Sequence, residues 1–392
     1  MASEMEGAVL TERQRMVRET ARRFAQHELA PGAAQRDREG RFPKEVFAKM
    51  GPLGLLGMLV PEELGGAGAD HVSYALAIME IAAADGSAST ALQVHNSLVC
   101  GSIMKFGTSQ QKEYLLPILA KGEKIGCFCL TEPDAGSDAA AITTKARRHG
   151  NTYVLDGVKQ FITSGQTADI AIIFAVTDPA AGKKGLSAFV VPTSTPGYRV
   201  AKLEETLGQR SADHCQIMLD GCEVPPDQML GQEGDGLKIA LSNLEGGRVG
   251  VAAQSVGMAR AAYDLALAYA KECRTFGKPI IEHQAVSFRL ADMATNLKAA
   301  ELMVLRAASL RDAGEPCLKD ASMAKLFASE TAEKVCSAAI QIHGGYGYLN
   351  DFAVERIYRD VRVCTIYEGT SDIQRLVIGR QIAAEAAYQA VQ

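Results

Sequence analysis

The sequence predicts an α+β protein in three consecutive parts: an N-terminal α-helical domain, a middle antiparallel β-barrel or sandwich domain, and a C-terminal domain resembling a four-helix bundle. Three observations carry this. Helical apolar spacing dominates residues 1–124, short β-rich runs cut by turns fill 125–233, and unusually long helical patterns occupy 234–392. No strand–helix alternation occurs in the middle part, which argues against a parallel nucleotide-binding sheet.

In the first part, Thr11 and Gln14 form a capping box that opens an amphipathic run through Val17, Ala21 and Phe24. Pro31-Gly32 is read as its stop. Helical runs at Lys44–Met50, Val72–Ala84, Ala88–Phe106 and Gln110–Ala120 follow, separated by Gly, Pro and Asp-Gly breakers. The strands expected in the second part are Ile125–Leu130, Thr152–Leu155, Gln160–Thr163, Ile170–Val176, Leu186–Val191 and Gln216–Leu219, with turns at His149-Gly150-Asn151 and Asp220-Gly221. In the third part, Leu237–Cys273 and Glu282–Ala313 far exceed an average helix of about 11–12 residues. Gly250, Ala252, Ala253, Ala259, Ala261 and Ala262 give small-residue faces suited to close helix packing or subunit contact. Asp320–Gln341 and Ser371–Ala387 complete the bundle.

Composition sets the class. The chain has 392 residues, 47% hydrophobic and 22% charged, with a net charge of -5. That excludes a disordered chain and gives no global attraction to nucleic acid or acidic membranes. No apolar stretch approaches the roughly 20 residues of a membrane span, and MASEMEGAVLTERQ lacks a signal pattern. The expected compartment is the cytoplasm, or the mitochondrial matrix for a trimmed chain. Nine scattered cysteines point to reduced thiols. Cys127 and Cys129 are a close pair without a second pair or His partners at ligand spacing, so no metal is expected. There are 12 Phe and 11 Tyr but no Trp.

Four clusters could carry chemistry, each with a plainer reading. Cys129-Leu-Thr-Glu-Pro-Asp-Ala-Gly-Ser-Asp138 offers N–H and O–H groups at a strand end for a flavin edge or an anion, or is simply a polar turn. Asp156-Gly157 before Phe161 and Thr163 reads as a hairpin, with Phe161 able to face a planar cofactor. Gln341-Ile-His343-Gly344-Gly345 is first of all a helix C-cap and lacks the dinucleotide pattern. Ile366-Tyr367-Glu368-Gly369-Thr370-Ser371-Asp372 delivers a carboxylate beside apolar neighbours just before a helix capped by Thr370 or Ser371. Such a carboxylate suits a general base, although most are solvent-exposed helix-start charges. His95, His283 and His343 have no metal spacing and fit surface or capping roles, and no nucleophile elbow occurs.

In this order, these motifs resemble the acyl-CoA dehydrogenase family along essentially the whole chain. Leu130–Asp138, Gly157–Thr163, Thr275-Phe-Gly-Lys278, His283-Gln284, Gln341–Gly345 and Ile366–Thr370 carry the resemblance. It implies the family's fold and an FAD site. Phe128, Leu130, Thr131, Gly136 and Ser137 would line the flavin and the pantetheine of coenzyme A, and Phe161 and Thr163 would pack against and hydrogen-bond the isoalloxazine. Arg274, Thr275, Phe276 and Gln284, with Gln341, Gly344 and Gly345, would hold the FAD pyrophosphate and adenine across a subunit boundary, while Thr370 and Asp372 reach the same cofactor. The shared site implies a homo-oligomer, a tetramer built from dimers.

On the substrate side the resemblance implies Ser137, Glu245, Arg248, Tyr367 and Gly369, with Thr90, Val94 and Leu98 walling a short, medium or branched acyl chain. Glu368 would take the α-proton of an acyl-CoA while the β-hydrogen leaves as hydride to flavin N5, giving a trans-2-enoyl-CoA. Its backbone N–H and a ribityl hydroxyl would stabilise the enolate oxygen. Electrons would pass to an electron-transferring flavoprotein. Members that carry the base on the long helix have it where this chain has Gly247, which leaves Glu368. Two positions depart from the family: Cys273 stands where Arg is usual, with Arg274 one place later, and Phe161 stands where many members have Trp. Competing readings are an acyl-CoA oxidase or other flavin-dependent C–H oxidation on the same fold, and a catalytically silent scaffold.

Overall fold

The computed structural model describes residues 10–389, so the first nine residues of the segment read for a targeting signal lie outside it. Helix α1 (Glu12–Phe24) starts with the expected capping box: Thr11 Oγ1 accepts the Gln14 N–H at 3.2 Å, and Gln14 Oε1 accepts the Thr11 N–H at 2.9 Å. Pro31-Gly32 does not stop this run. A π turn (Ala25–Leu29) and a 3-10 turn (Ala30–Gly32) lead directly into α2 (Ala33–Glu39), because Pro31 enters at the start of a turn, where no N–H is needed. The stop is Gly40, which takes the left-handed conformation at φ 60°.

After the short α3 (Lys44–Ala48) come α4 (His71–Ala84) and α5 (Gly86–Gln93), joined at Asp85. Asp85 caps α5 by accepting the Ala88 N–H at 3.1 Å and pairs with buried Arg36 at 2.7 Å. A π turn (Val94–Cys100) carries α5 into α6 (Gly101–Phe106), so the expected helix over 88–106 forms with a wide turn inside it. Helix α7 (Ser109–Ala120) closes this part behind a second capping box, Thr108 with Gln111. His95 is not a surface residue. It is fully buried, with Nε2 3.1 Å from the Leu119 carbonyl and Nδ1 accepting the Gly126 N–H at 3.2 Å.

The middle part is an eight-stranded sheet built from β1 (Gly126–Cys129), β2 (Lys145–His149), β3 (Thr152–Thr163), β4 (Ile170–Val176), β5 (Leu186–Pro192), β6 (Tyr198–Leu203), β7 (His214–Val224) and β8 (Met229–Leu230). Its order is β6-β7-β3-β2-β4-β5-β8, with β1 also pairing β4. Most pairs are antiparallel, as expected, but β1 runs parallel to β4, and β2 meets β4 in a parallel bridge. The expected Asp156-Gly157 hairpin and Asp220-Gly221 turn are absent as turns. Both dipeptides lie inside strands, facing each other across an irregularity in the β3–β7 ladder, where the Gly221 N–H bonds Asp156 Oδ1 at 2.8 Å. A side chain at Gly157 would sit 2.4 Å from Thr144 Oγ1, so glycine here answers a close approach. The two expected strands 152–155 and 160–163 are therefore one.

The C-terminal part is helical throughout apart from a small hairpin, β9 (Arg274–Thr275) with β10 (Lys278–Pro279). Its helices are α8 (Gly236–Glu272), α9 (Gln284–Asp312), α10 (Leu318–His343), α11 (Ala353–Val361) and α12 (Ser371–Gln389). The small residues of α8 serve packing within the chain: a side chain at Gly257 would meet the Met79 carbonyl of α4 at 2.2 Å. One apolar cluster joins all three parts, from Phe47 and Leu92 through Leu155 and Ile173 to Val249 and Val304. A second fills the bundle, and a third packs Ile103 and Leu116 on Ile172 and Phe174. Alternate residues of β4 thus face different clusters, and the strand is buried on both sides.

Candidate active site

Glu368 lies between a 3-10 turn (Arg362–Thr365) and α12, whose start Thr370 caps by accepting the Ile373 N–H at 3.3 Å. Its backbone is in the left-handed region at φ 55°, a conformation that disfavours a side chain. It is held there by its neighbours. Gln374 Nε2 donates to the Glu368 and Gly369 carbonyls at 3.1 and 2.8 Å, and the Lys325 ammonium donates to the Gly369 carbonyl at 2.8 Å.

The carboxylate points at α8 and at the end of α5. Oε1 accepts from Gln93 Nε2 at 3.2 Å, while Oε2 is buried with no hydrogen-bond partner. The residue as a whole is only half-buried; its Oε2 is what lies withdrawn from water. Burial pushes the carboxyl up to about 7, against the opposing pull of Gln93, Arg248 and Lys325. Arg248 is buried, and its Nε is unpartnered. Lys325 is fully buried, and desolvation lowers its ammonium to about 8. Glu245, one turn before Arg248 on α8, is held by Arg311 at 3.1 Å and by the Cys317 thiol, which donates at 2.9 Å.

Tyr367 and Thr90 meet in one polar network. The Tyr367 hydroxyl donates to Gln254 Oε1, Gln254 Nε2 bonds Thr90 Oγ1, and Thr90 Oγ1 donates to Gln209 Oε1 at 2.6 Å. Val94 and Leu98 are buried on the same helical segment as Thr90, yet belong to none of the three apolar clusters.

On the sheet side, Leu130–Asp138 leaves the end of β1 as a tight turn closed by mutual Glu132 and Ala135 backbone bonds. Glu132 is buried and accepts from Lys159 Nζ at 2.7 Å, the Thr143 N–H at 2.6 Å and the Thr144 N–H at 3.0 Å, which hold its carboxyl down at about 2. Lys159 also reaches the Leu130 carbonyl, and the Thr131 carbonyl accepts the Gln160 N–H at 2.8 Å. These bonds fix the turn beside Phe161 and Thr163 of β3. Phe128 packs on Phe174 with ring centroids 4.8 Å apart. Phe161 is 65% exposed at φ 58°, and Thr163 Oγ1 contacts His214 Nδ1 at 3.2 Å. Gly136 and Ser137 are exposed, with open space where a Gly136 side chain would stand.

Of the remaining expected residues, Thr370 and Asp372 start α12 just after Glu368, and the others lie on the β9–β10 hairpin and at the ends of α9 and α10. Phe276 is 96% exposed at the tip of the β9–β10 hairpin, where Arg274 donates to the Gly277 carbonyl at 3.0 Å, and Gln284 opens α9 beside His283. Gly344 caps α10 at φ 60° and, like Gly345, has open space at its Cβ position. Gln341, Thr370 and Asp372 line one cavity of about 940 Å³ together with Arg289, Arg362 and Arg375.

Gln93 and Lys325 escaped the sequence reading. Lys325 lies between Ala324 and Leu326, whereas Gln93 shares its segment with Thr90, His95, Asn96 and Ser97 and stands out from nothing. Among the described residues, no three His, Cys, Asp or Glu side chains converge on a metal geometry, all nine cysteines are unpaired, and no helix is long and apolar enough to cross a membrane.

A buried carboxylate oxygen without a partner makes this region the candidate site of an enzyme that moves protons. The three-part fold narrows which kind. Family models for the N-terminal, middle and C-terminal domains of acyl-CoA dehydrogenase match residues 11–123, 127–222 and 234–383 in that order. The chain belongs to the acyl-CoA dehydrogenase family, whose members are flavoproteins, and it is an oxidoreductase of that kind.

It is 47% identical to an acyl-CoA dehydrogenase of Bacillus subtilis, spanning 95% of this chain and 98% of that protein. It is 48% identical to the mitochondrial short-chain specific acyl-CoA dehydrogenase of Homo sapiens, spanning 94% and 90%. Butyryl-CoA dehydrogenase from Megasphaera elsdenii superposes with a TM-score of 0.94 at 41% identity over 95% of this chain and 99% of that one. A glutaryl-CoA dehydrogenase from Mycobacterium smegmatis in complex with FADH2 superposes at 0.91, with 33% identity over 96% and 95%.

Proposed function

We propose that the protein catalyses α,β-dehydrogenation of a short, medium or branched acyl-CoA to the trans-2-enoyl-CoA, with Glu368 as the α-proton base and an electron-transferring flavoprotein as electron acceptor. The observation that carries this reading is the Glu368 carboxylate, whose Oε2 is buried, unpartnered and raised toward neutrality. The relatives named for short-chain and butyryl-CoA substrates support the short end of the range.

The residues fit FAD. Phe161 presents an exposed aromatic face, and the open positions at Gly136, Gly344 and Gly345 leave backbone accessible to a large ligand. Phe128, Leu130, Thr131, Gly136, Ser137, Phe161, Thr163, Thr370 and Asp372 would hold it on one side; Arg274, Thr275, Phe276, Gln284, Gln341, Gly344 and Gly345 would grip it from a second subunit of a tetramer. Bound FAD supplies the acceptor for the β-hydrogen and its two electrons. Glu368 removes the α-proton, and its backbone N–H steadies the thioester oxygen as charge grows there. Glu245 and Arg248 face the coenzyme A side. Ser137, Tyr367 and Gly369 border the reacting carbons, and Thr90, Val94 and Leu98 wall the acyl chain. We place the domain divisions after residues 124 and 233 and the protein in the cytoplasm or the mitochondrial matrix.

Anaerobic titration of the FAD-loaded protein with straight and branched acyl-CoAs tests this. Bleaching of the flavin is expected with short chains, and Glu368→Gln is expected to keep FAD, bind acyl-CoA and fail to bleach. Normal bleaching by that variant would move the base elsewhere. Rapid oxygen consumption without another acceptor would replace the dehydrogenase reading with an oxidase.

A further inference from the structure

The amide of Gln93 lies between the base and α8. Its Nε2 is 2.9 Å from Ser97 Oγ, 3.2 Å from Glu368 Oε1 and 3.5 Å from the Gly247 carbonyl. Ser97 Oγ in turn donates to the Gln93 carbonyl at 2.8 Å, which ties the π turn back onto the end of α5. The space for this arrangement comes from two glycines on one face of α8. A Cβ at Gly247 would fall 2.4 Å from Glu368 Oε2, and one at Gly250 would fall 2.6 Å from Gln93 Cγ. The two glycines open a single slot that carboxylate and amide share.

We propose that Gln93 is the positioning residue of the base: it anchors Oε1 of Glu368 and so assigns the proton-accepting role to the unpartnered Oε2. This rests on Glu368 being the base. When the α-C–H bond breaks, its proton goes to Oε2. Its electron pair becomes the new C=C as the β-hydrogen departs with two electrons to the flavin.

Gln93 is neutral, so it stabilises the ionised carboxylate without adding charge, opposing the effect of burial. The charged and titratable groups facing the carboxylate are Arg248 from α8 and Lys325 from α10, which act on it through space, and Tyr74 from α4, which feels its charge. Gln93 is its hydrogen-bond partner among the described residues.

The test is the pH dependence of flavin bleaching by butyryl-CoA in the FAD-loaded protein. Gln93→Met keeps the side-chain length but loses the donor. Its acid limb is expected about one pH unit higher, with bleaching on the acid side about tenfold slower and the alkaline plateau less affected. Gly250→Ala leaves Gln93 chemically intact but crowds its Cγ, and should move the limb the same way even if Gln93→Met folds poorly. An unmoved limb in these variants, with Glu368→Gln unable to bleach, overturns the role of Gln93 alone. Full bleaching by Glu368→Gln overturns the assignment of the base itself.

Discussion

Gly247 and Glu368 compete for one volume: a Cβ on Gly247 would lie 2.4 Å from Glu368 Oε2 and 2.7 Å from its Cδ. A side chain at position 247 would therefore push the carboxylate at 368 from its present seat. Gly247→Ala should leave the helix intact, since alanine is a better helix former than glycine. It should nonetheless slow flavin bleaching at least about tenfold, because misplacing a reacting group by about an ångström has effects of that order or larger. Stopped-flow reduction by butyryl-CoA beside a thermal melt separates the two effects. Unchanged bleaching would show that the carboxylate has another seat.

As the proposed base, Glu368 would also link catalysis to stability. Its folded-state carboxyl is raised from 4.5 to about 7, so the folded state favours the protonated form. The stabilising contribution is fully present below about 4.5 and is lost as pH rises through about 7. A base works only when ionised, so activity should climb over the same interval in which this stabilisation fades. Glu368→Gln, which cannot ionise, should match the parent in stability at pH 4.5 and exceed it by on the order of 2 kcal/mol at pH 8. Urea unfolding at both values measures this; equal midpoints at pH 8 would contradict it.

The Glu132–Lys159 pair holds the turn that carries Leu130 and Thr131. Lys159→Met would strand a buried carboxylate and should cost about 3–5 kcal/mol, more than the combined change Lys159→Met with Glu132→Gln. Glu132 itself is held down at about 2, so its contribution is present above about 4.5 and is lost as pH falls toward 2. Chemical denaturation of the single and double variants decides; a double variant no more stable than the single would remove the electrostatic explanation.

Arg274 donates one of its five N–H groups to the Gly277 carbonyl within its own hairpin, which turns that donor away from any neighbouring phosphate. Cys273→Arg is therefore expected to tighten FAD binding by about tenfold at low salt, through a charge-assisted contact to phosphate. The gain should shrink in high salt as the contact is screened. Equal FAD affinity for parent and variant at low salt would sink the idea.

The three-part fold was legible because period, turn chemistry and caps agree over long windows, as Thr11 with Gln14 and the length of α8 illustrate. Non-local pairing was not. The parallel partnership of β1 with β4 leaves no local mark except the unbroken apolar run of β4, which fits a strand buried on both faces. The two Asp-Gly dipeptides misled because glycine serves a close approach inside a strand as readily as a turn between strands. At the site, the motif around Glu368 points to a carboxylate beside apolar neighbours, and its Oε2 is indeed buried. Gln93 was not legible, since the residue that gives it meaning lies 275 positions away. His95 failed for the same reason, its partners being a helix end and a strand start.

Gln374 holds the Glu368 and Gly369 carbonyls from α12, the helix that follows the base in the chain. Synthesis proceeds from N- to C-terminus, so this brace is among the last parts of the chain to be made. A chain severed just short of Gln374 would lack the brace that seats the carboxylate of the proposed base.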